Sequence, residues 1–159
     1  MISINMKLIN KLEDTQFEKK EITHTREISR GVILNEKNEV AILKLYANDK
    51  FGLRDCYELP GGGVKEGESF LDAFKREAIE EVGYEVEVIS KIGDVIDFYN
   101  LINRENHNHY FLGKTTKYLG IQMEEYEKTM IQKIEFVPID VAIDLFEHRM
   151  FGPVGILVQ

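Results

Sequence analysis

The 159 residues include 28 Asp and Glu against 20 Lys and Arg, a formal net charge of −8. That balance argues against extended contact with a nucleic-acid backbone, which takes clustered Lys and Arg. It leaves room for a small phosphorylated ligand, because bound cations reverse the sign of a site locally. Hydrophobic residues make up 43% of the chain and charged residues 30%, the composition of a soluble globular protein whose length suits a single domain over residues 1–159.

Residues 1–21 hold scattered apolar positions and end in the run Glu18-Lys19-Lys20-Glu21, which reads as an N-terminal arm with room for one strand. The arm lacks the apolar core and small-residue cleavage site of a signal peptide, and no apolar run in the chain approaches the roughly 18 residues that span a bilayer. With Cys56 as the lone cysteine, no intrachain disulfide forms, and a cytoplasmic protein away from membranes is expected. Residues 22–34 are rich in β-branched side chains and read as a strand, residues 35–38 as a polar turn, and residues 40–47 as a second strand. A loop over 48–54 and a short strand over 56–59 lead into Pro60.

Ser69 is a good N-cap with Asp72 at capping-box spacing, so a helix is expected over 70–82 with Gly83 as its C-terminal glycine. Residues 85–98 alternate around Gly93 as two strands or one bent strand, 101–108 read as a polar loop, and 109–118 as another strand. Residues 120–130 are acidic and irregular; a last strand over 134–137 ends at Pro138 and a helix follows over 140–150. The order of elements is that of an α/β fold.

Chemistry concentrates between Leu59 and Tyr84. Glu77, Glu80 and Glu81 stand at i, i+3 and i+4 on one helical turn, where like charges destabilise by roughly 0.2–0.5 kcal/mol per pair. A cation is expected beside them, and a hard divalent ion is the obvious candidate. Phe70, Phe74, Ala78 and Val82 form the apolar sector of the same helix, and the acids lie along its border beside Gly61, Gly62 and Gly63. A P-loop fails here because Glu68 stands where its lysine belongs, and the dinucleotide pattern fails because Glu66 replaces its last glycine.

Gly62, Glu68, Arg76, Glu77, Ala78, Glu80, Glu81 and Gly83 fall in the register G-x5-E-x7-R-E-U-x-E-E-x-G-U, where U is apolar, and the stretch resembles the Nudix box. Tyr84 takes the last position, where an aliphatic residue is commoner, and Glu135 to Asp140 resemble the family's final strand and entry to the last helix. The resemblance implies an α/β/α sandwich around a mixed β-sheet and a hydrolase that splits a diphosphate linkage with a metal-activated water. It implies Mg²⁺, with Mn²⁺ as a substitute, held by Glu80, Glu81 and the Gly61 carbonyl. Glu77 would be a ligand or the general base, and Glu68 and Arg76 would fix the loop against the helix. The expected substrate is a nucleoside triphosphate or a nucleoside-diphosphate-linked metabolite; a catalytically silent nucleotide-binding module is the alternative. A homodimer is compatible with such a chain.

Outside the box the signals are weaker. Tyr99 and Glu125 are candidates for substrate contact; Glu124, Glu125 and Glu127 lie where the resemblance implies that some members supply a further ligand or base, and an acidic solvated loop is the simpler reading of any one of them. His107, His109, Phe98 and Tyr110 read more simply as loop or core residues, and Cys56 as a small packed side chain. The proline that marks many ADP-ribose pyrophosphatases beyond the box has no counterpart, since the prolines are Pro60, Pro138 and Pro153.

Overall fold

Alternating side chains along the central strands decide which helix each face receives. In the computed structural model, which describes residues 5–49 and 52–148, strands β2 (His24–Leu34) and β3 (Val40–Asp49) form the middle of a mixed sheet. Ile33 and Ala41 pack on one face against Phe74, Ala78 and Val82 of the box helix. Val40 and Ile42, on the other face, meet Ala142 and Leu145 of α3 (Ile139–His148). One face per helix follows from the two-residue period of a strand, and it gives the expected α/β/α arrangement. Phe74 and Phe111 are fully buried with ring centroids 5.6 Å apart; burying each stabilises by about 2–3 kcal/mol.

The strand order is β1-β6-β7-β2-β3-β4, with β5 (Gly61–Gly63) paired to β2 and β8 (Ile131–Val137) to β3. β1 (Leu8–Leu12) lies parallel to β6 (Tyr84–Tyr99), β6 antiparallel to β7 (Arg104–Tyr118), and β7 parallel to β2. β3 runs antiparallel to β4 (Gly52–Glu58) and to β8. β2 and β3 share the single pair Leu34↔Val40 before they diverge. The connecting turn is closed by Asn35, whose Oδ1 accepts from the Lys37 and Glu39 amides while Asn38 takes a left-handed φ of 59°.

Several elements differ from the sequence expectation. The box helix is α-helical only over α1 (Phe70–Glu77) and continues as a π-helical turn over Ala78–Val82, which Gly83 ends at φ 83°. Residues 85–98 are the single bent strand, one of the two arrangements expected; its pairing slips at three places, and bulges absorb the bend. The expected loop over 101–108 is a 3₁₀ turn, Asn100–Ile102, followed by the start of β7, because Asn106 and Asn108 donate to Asp97 on the neighbouring strand β6. The loop over 48–54 shrinks to a hairpin tip, since β3 and β4 pair as far as Asp49↔Gly52. The irregular acidic segment ends in a short helix, α2 (Glu125–Met130), closed by a reciprocal capping box between Glu124 and Glu127. Residues 149–150 of the last expected helix and Pro153 lie outside the described residues. No helix among the described residues is long and apolar enough to cross a membrane.

Candidate active site

Beyond Pro60 the chain enters β5, where Gly61, Gly62 and Gly63 pair with Arg30, Ser29 and Ile28. A Cβ at Gly62 would lie 2.4 Å from Glu77 Oε1, so glycine is what allows the strand to pass so close to the helix acid. The Ser29 hydroxyl donates to the Phe70 carbonyl at 2.7 Å and seats the start of α1 on β2. Ser69 caps that start by accepting the Asp72 amide at 3.1 Å.

Arg76 ties loop and helix together. Its Nε and Nη2 donate to the two oxygens of Glu68 at 2.7 and 2.9 Å, and Nη2 also reaches the Gly63 carbonyl at 3.0 Å. Its Nη1 donates to Glu77 Oε1 at 2.6 Å and Glu80 Oε2 at 2.8 Å. The bidentate bond holds the Glu68 carboxyl below the ordinary range and makes the guanidinium hold its proton more tightly than usual.

The other acids are buried. Glu81, 5% exposed, accepts the Gly61 amide at 2.8 Å; burial, then the Glu77 charge, pushes its carboxyl well above the usual range. Burial raises Glu77 as well, and its Oε2 has no hydrogen-bond partner among the described residues. One carboxylate oxygen each from Glu77, Glu80 and Glu127 lie within 4.8 Å of one another. An all-oxygen donor set with an unpaired buried carboxylate oxygen, among acids whose burial disfavours charge, suits a hard divalent cation.

The acids open on a cleft of about 440 Å³ that lies where β2 and β3 diverge. Leu43 and Leu45 of β3 line it, while Arg26, Ile28 and Arg30 of β2 and Arg104, Asn106 and Asn108 of β7 line it at every second position. The site therefore pairs an acidic cluster with cationic side chains, as binding of a metal together with a polyanion requires. Lys65 stands at the rim, 3.9 Å from Glu80 and 3.4 Å from Glu124.

Of the residues singled out in the sequence, Gly61, Gly62, Arg76, Glu77, Glu80 and Glu81 all line the cleft. Glu68 stands behind Arg76, and Gly83 lies at the far end of the π-helical turn. Tyr99 is buried at the end of β6 against Phe17 and does not line the cleft. The Glu125 side chain is 91% exposed and bonds to Lys128 at 2.6 Å on the outward side of α2, whereas Glu124 and Glu127 face inward. His109 belongs to the other face of β7, between Asp94 and Glu27 at 2.6 Å each and stacked on Phe70. Burial pushes the Cys56 thiol up to about 12, consistent with a packing role. The sequence reading did not single out Glu127 from Glu124 and Glu125 as a further ligand or base, and it missed the cleft-facing rows of β2 and β7. The alternation Arg26-Ile28-Arg30 and the i, i+3 spacing of Glu124 and Glu127 were the available signals.

A family model described as NUDIX domain matches residues 25–153. Among curated proteins, an RNA pyrophosphohydrolase from Sulfurovum sp. is 30% identical over 84 residues, covering 52% of this chain and 54% of that one. A putative 8-oxo-dGTP diphosphatase from Bacillus subtilis is 32% identical over 87 residues, covering 54% and 50%. The chain thus spans about half the length of these curated relatives. Among solved structures, a NUDIX hydrolase from Nitrosomonas europaea aligns with TM-score 0.62 at 16% identity, covering 76% of this chain and 77% of that one. A MutT protein from Methanosarcina mazei aligns with TM-score 0.58 at 22% identity, covering 80% and 84%; both are likenesses of fold.

Proposed function

The chain belongs to the Nudix family, and from that premise we propose that it is a Mg²⁺-dependent pyrophosphohydrolase. Its substrate would be a nucleoside triphosphate or a nucleoside-diphosphate-linked metabolite, cleaved at a diphosphate linkage. The observation that supports this most is the buried, unpartnered Glu77 Oε2, grouped with Glu80 and Glu127 at the mouth of an arginine-lined cleft.

Glu77, Glu80 and Glu127 would hold the cation, with Glu81 and the Gly61 backbone beside them. When bound, Mg²⁺ supplies charge neutralisation for the diphosphate and lowers the pKa of a coordinated water. The chain's own residues do the rest. Arg76 keeps Glu77 and Glu80 in place and Gly62 leaves room for the Glu77 carboxylate against the backbone. Arg30 and Lys65 offset phosphate charge from the cleft wall and the rim. Burial raises the basicity of the Glu77 carboxylate, and in its ionised form it would accept a proton from the attacking water. One curated relative is named for RNA and another for 8-oxo-dGTP, and the net charge of −8 favours a free nucleotide over an RNA chain for this protein.

The test is a panel of nucleoside triphosphates, 8-oxo-dGTP, nucleotide sugars, ADP-ribose, dinucleoside polyphosphates and 5′-triphosphorylated RNA, with and without Mg²⁺ and with products identified. Metal-dependent release of phosphate or pyrophosphate is expected. Nucleotide binding without cleavage of any member would instead make the chain a silent binding module.

A further inference from the structure

One row of side chains on the cleft floor has no part in holding a cation. Across strands β6, β7 and β2, Asp97 stands opposite Asn106, and Asn106 opposite Arg26; Arg104 lies two residues before Asn106 on the same face of β7. Asp97 is 1% exposed and accepts from Asn106 Nδ2 at 2.7 Å and from Asn108 Nδ2 at 2.6 Å. Because a carboxylate only accepts, those bonds fix the Asn106 amide with its nitrogen on Asp97 and its oxygen turned away. Asn106 is 2% exposed, yet its Oδ1 has no hydrogen-bond partner among the described residues.

Among the described residues the nearby guanidinium groups of Arg26 and Arg104 form no ion pair, although Arg104 lies over the Tyr99 ring, 5.9 Å from its centroid. Among the described residues neither Arg26 nor Arg104 lies within 4.0 Å of a carboxylate, and Arg104 Nε is buried without a partner. Burial and the Arg26 charge both hold the Arg104 guanidinium below its ordinary value. A buried acceptor without its hydrogen bond destabilises the fold, and two like charges side by side add to that. All three side chains line the cleft, so a ligand would relieve the cost.

We propose that Asn106, oriented by Asp97 and flanked by Arg26 and Arg104, is a specificity-determining residue that reads a lactam edge of the nucleobase. Asn106 Oδ1 accepts the ring N–H, and the guanidinium groups donate to the adjacent carbonyl oxygen. Two cations beside one acceptor favour bases whose exocyclic group is an oxygen over bases whose exocyclic group is an amine, which carries partial positive charge and lacks the neighbouring ring N–H. Asn106 Oδ1 is closed off from solvent, so the long side chains of the same wall must turn as the base enters. The proposal rests on the nucleotide reading of the site and deepens it.

The test compares kcat and KM for GTP and UTP with those for ATP and CTP, in the intact wild-type chain and in Asn106→Leu and Arg104→Met. The wild type should favour the lactam bases by at least about tenfold in kcat/KM, and each variant should lose most of that ratio through KM. Arg104→Met leaves the Asp97 hydrogen bonds intact and reads the same ratio if Asn106→Leu fails to fold. A wild type without base preference, or variants that slow all four substrates equally, overturns the proposal. Equilibrium binding of GDP, UDP, ADP and CDP to the wild type separates the two failures. A binding preference without turnover sinks only the hydrolase reading; turnover without a preference sinks only the lactam subsite.

Discussion

Glu81 is nearly closed off from water beside the Glu77 charge, and its sign under titration follows from that. Its folded carboxyl holds a proton at pH values where the unfolded one has lost it. In metal-free protein its contribution to stability is therefore fully present below the ordinary glutamate range and is lost as pH rises through the elevated folded value. Glu81→Gln removes the ionisation, so its melting temperature should gain on the wild type as pH rises from 4 to 8, by calorimetry without metal; a difference independent of pH would contradict this. In activity the sign is opposite: Glu77→Gln and Glu81→Gln should each lower Mg²⁺-dependent turnover by about 10²–10⁴-fold. Gly62→Ala tests geometry alone, because its Cβ would displace Glu77. It should reduce turnover at least about tenfold while the chain still folds, as circular dichroism would report. Glu77, Glu80 and Glu81 were legible because their spacing repeats the period of a helix, and Gly62, Glu68 and Arg76 through the resemblance to the Nudix box. Glu127 was not, because it reaches the cluster by tertiary packing and its acidic neighbours look alike in one dimension.

The box helix also carries mechanical load. Arg76 crosses from α1 to the loop through Glu68 and Gly63, and truncation would leave partly buried carboxylates without their donor. Arg76→Gln should destabilise the fold by about 2–3 kcal/mol in urea unfolding. Phe74→Ala, at a position fully buried against Phe111, should cost about 3–5 kcal/mol. The apolar stripe that predicts this packing is plain in the sequence; the π-helical turn over Ala78–Val82 is not, since the same stripe is compatible with either winding. The start of β7 was hidden for another reason. Asn106 and Asn108 face the cleft and donate to Asp97 on the neighbouring strand, so a buried strand carries the composition of a loop.

The sheet places opposite charges on facing walls in a chain whose overall balance is acidic, so net charge alone predicted neither wall. The outline of the fold was readable from alternating strands and two well-marked helices, whereas the divergence of β2 from β3 is a property of register that no local pattern encodes. A cation bound only by the folded state should stabilise it by about 2.7 kcal/mol at a hundredfold excess over Kd, raising the melting temperature by about 5–10 °C. Mg²⁺ and Mn²⁺ titrations followed by calorimetry would check this. Glu77 and Glu80 ride on the helix packed over β2, but Glu127 belongs to α2, which packs on β3 and β8. An ion gripping all three would stitch together the two leaves of the sheet across their open seam. Hydrogen exchange in α2 should then slow on metal addition, making the aperture of the cleft a quantity that metal concentration sets.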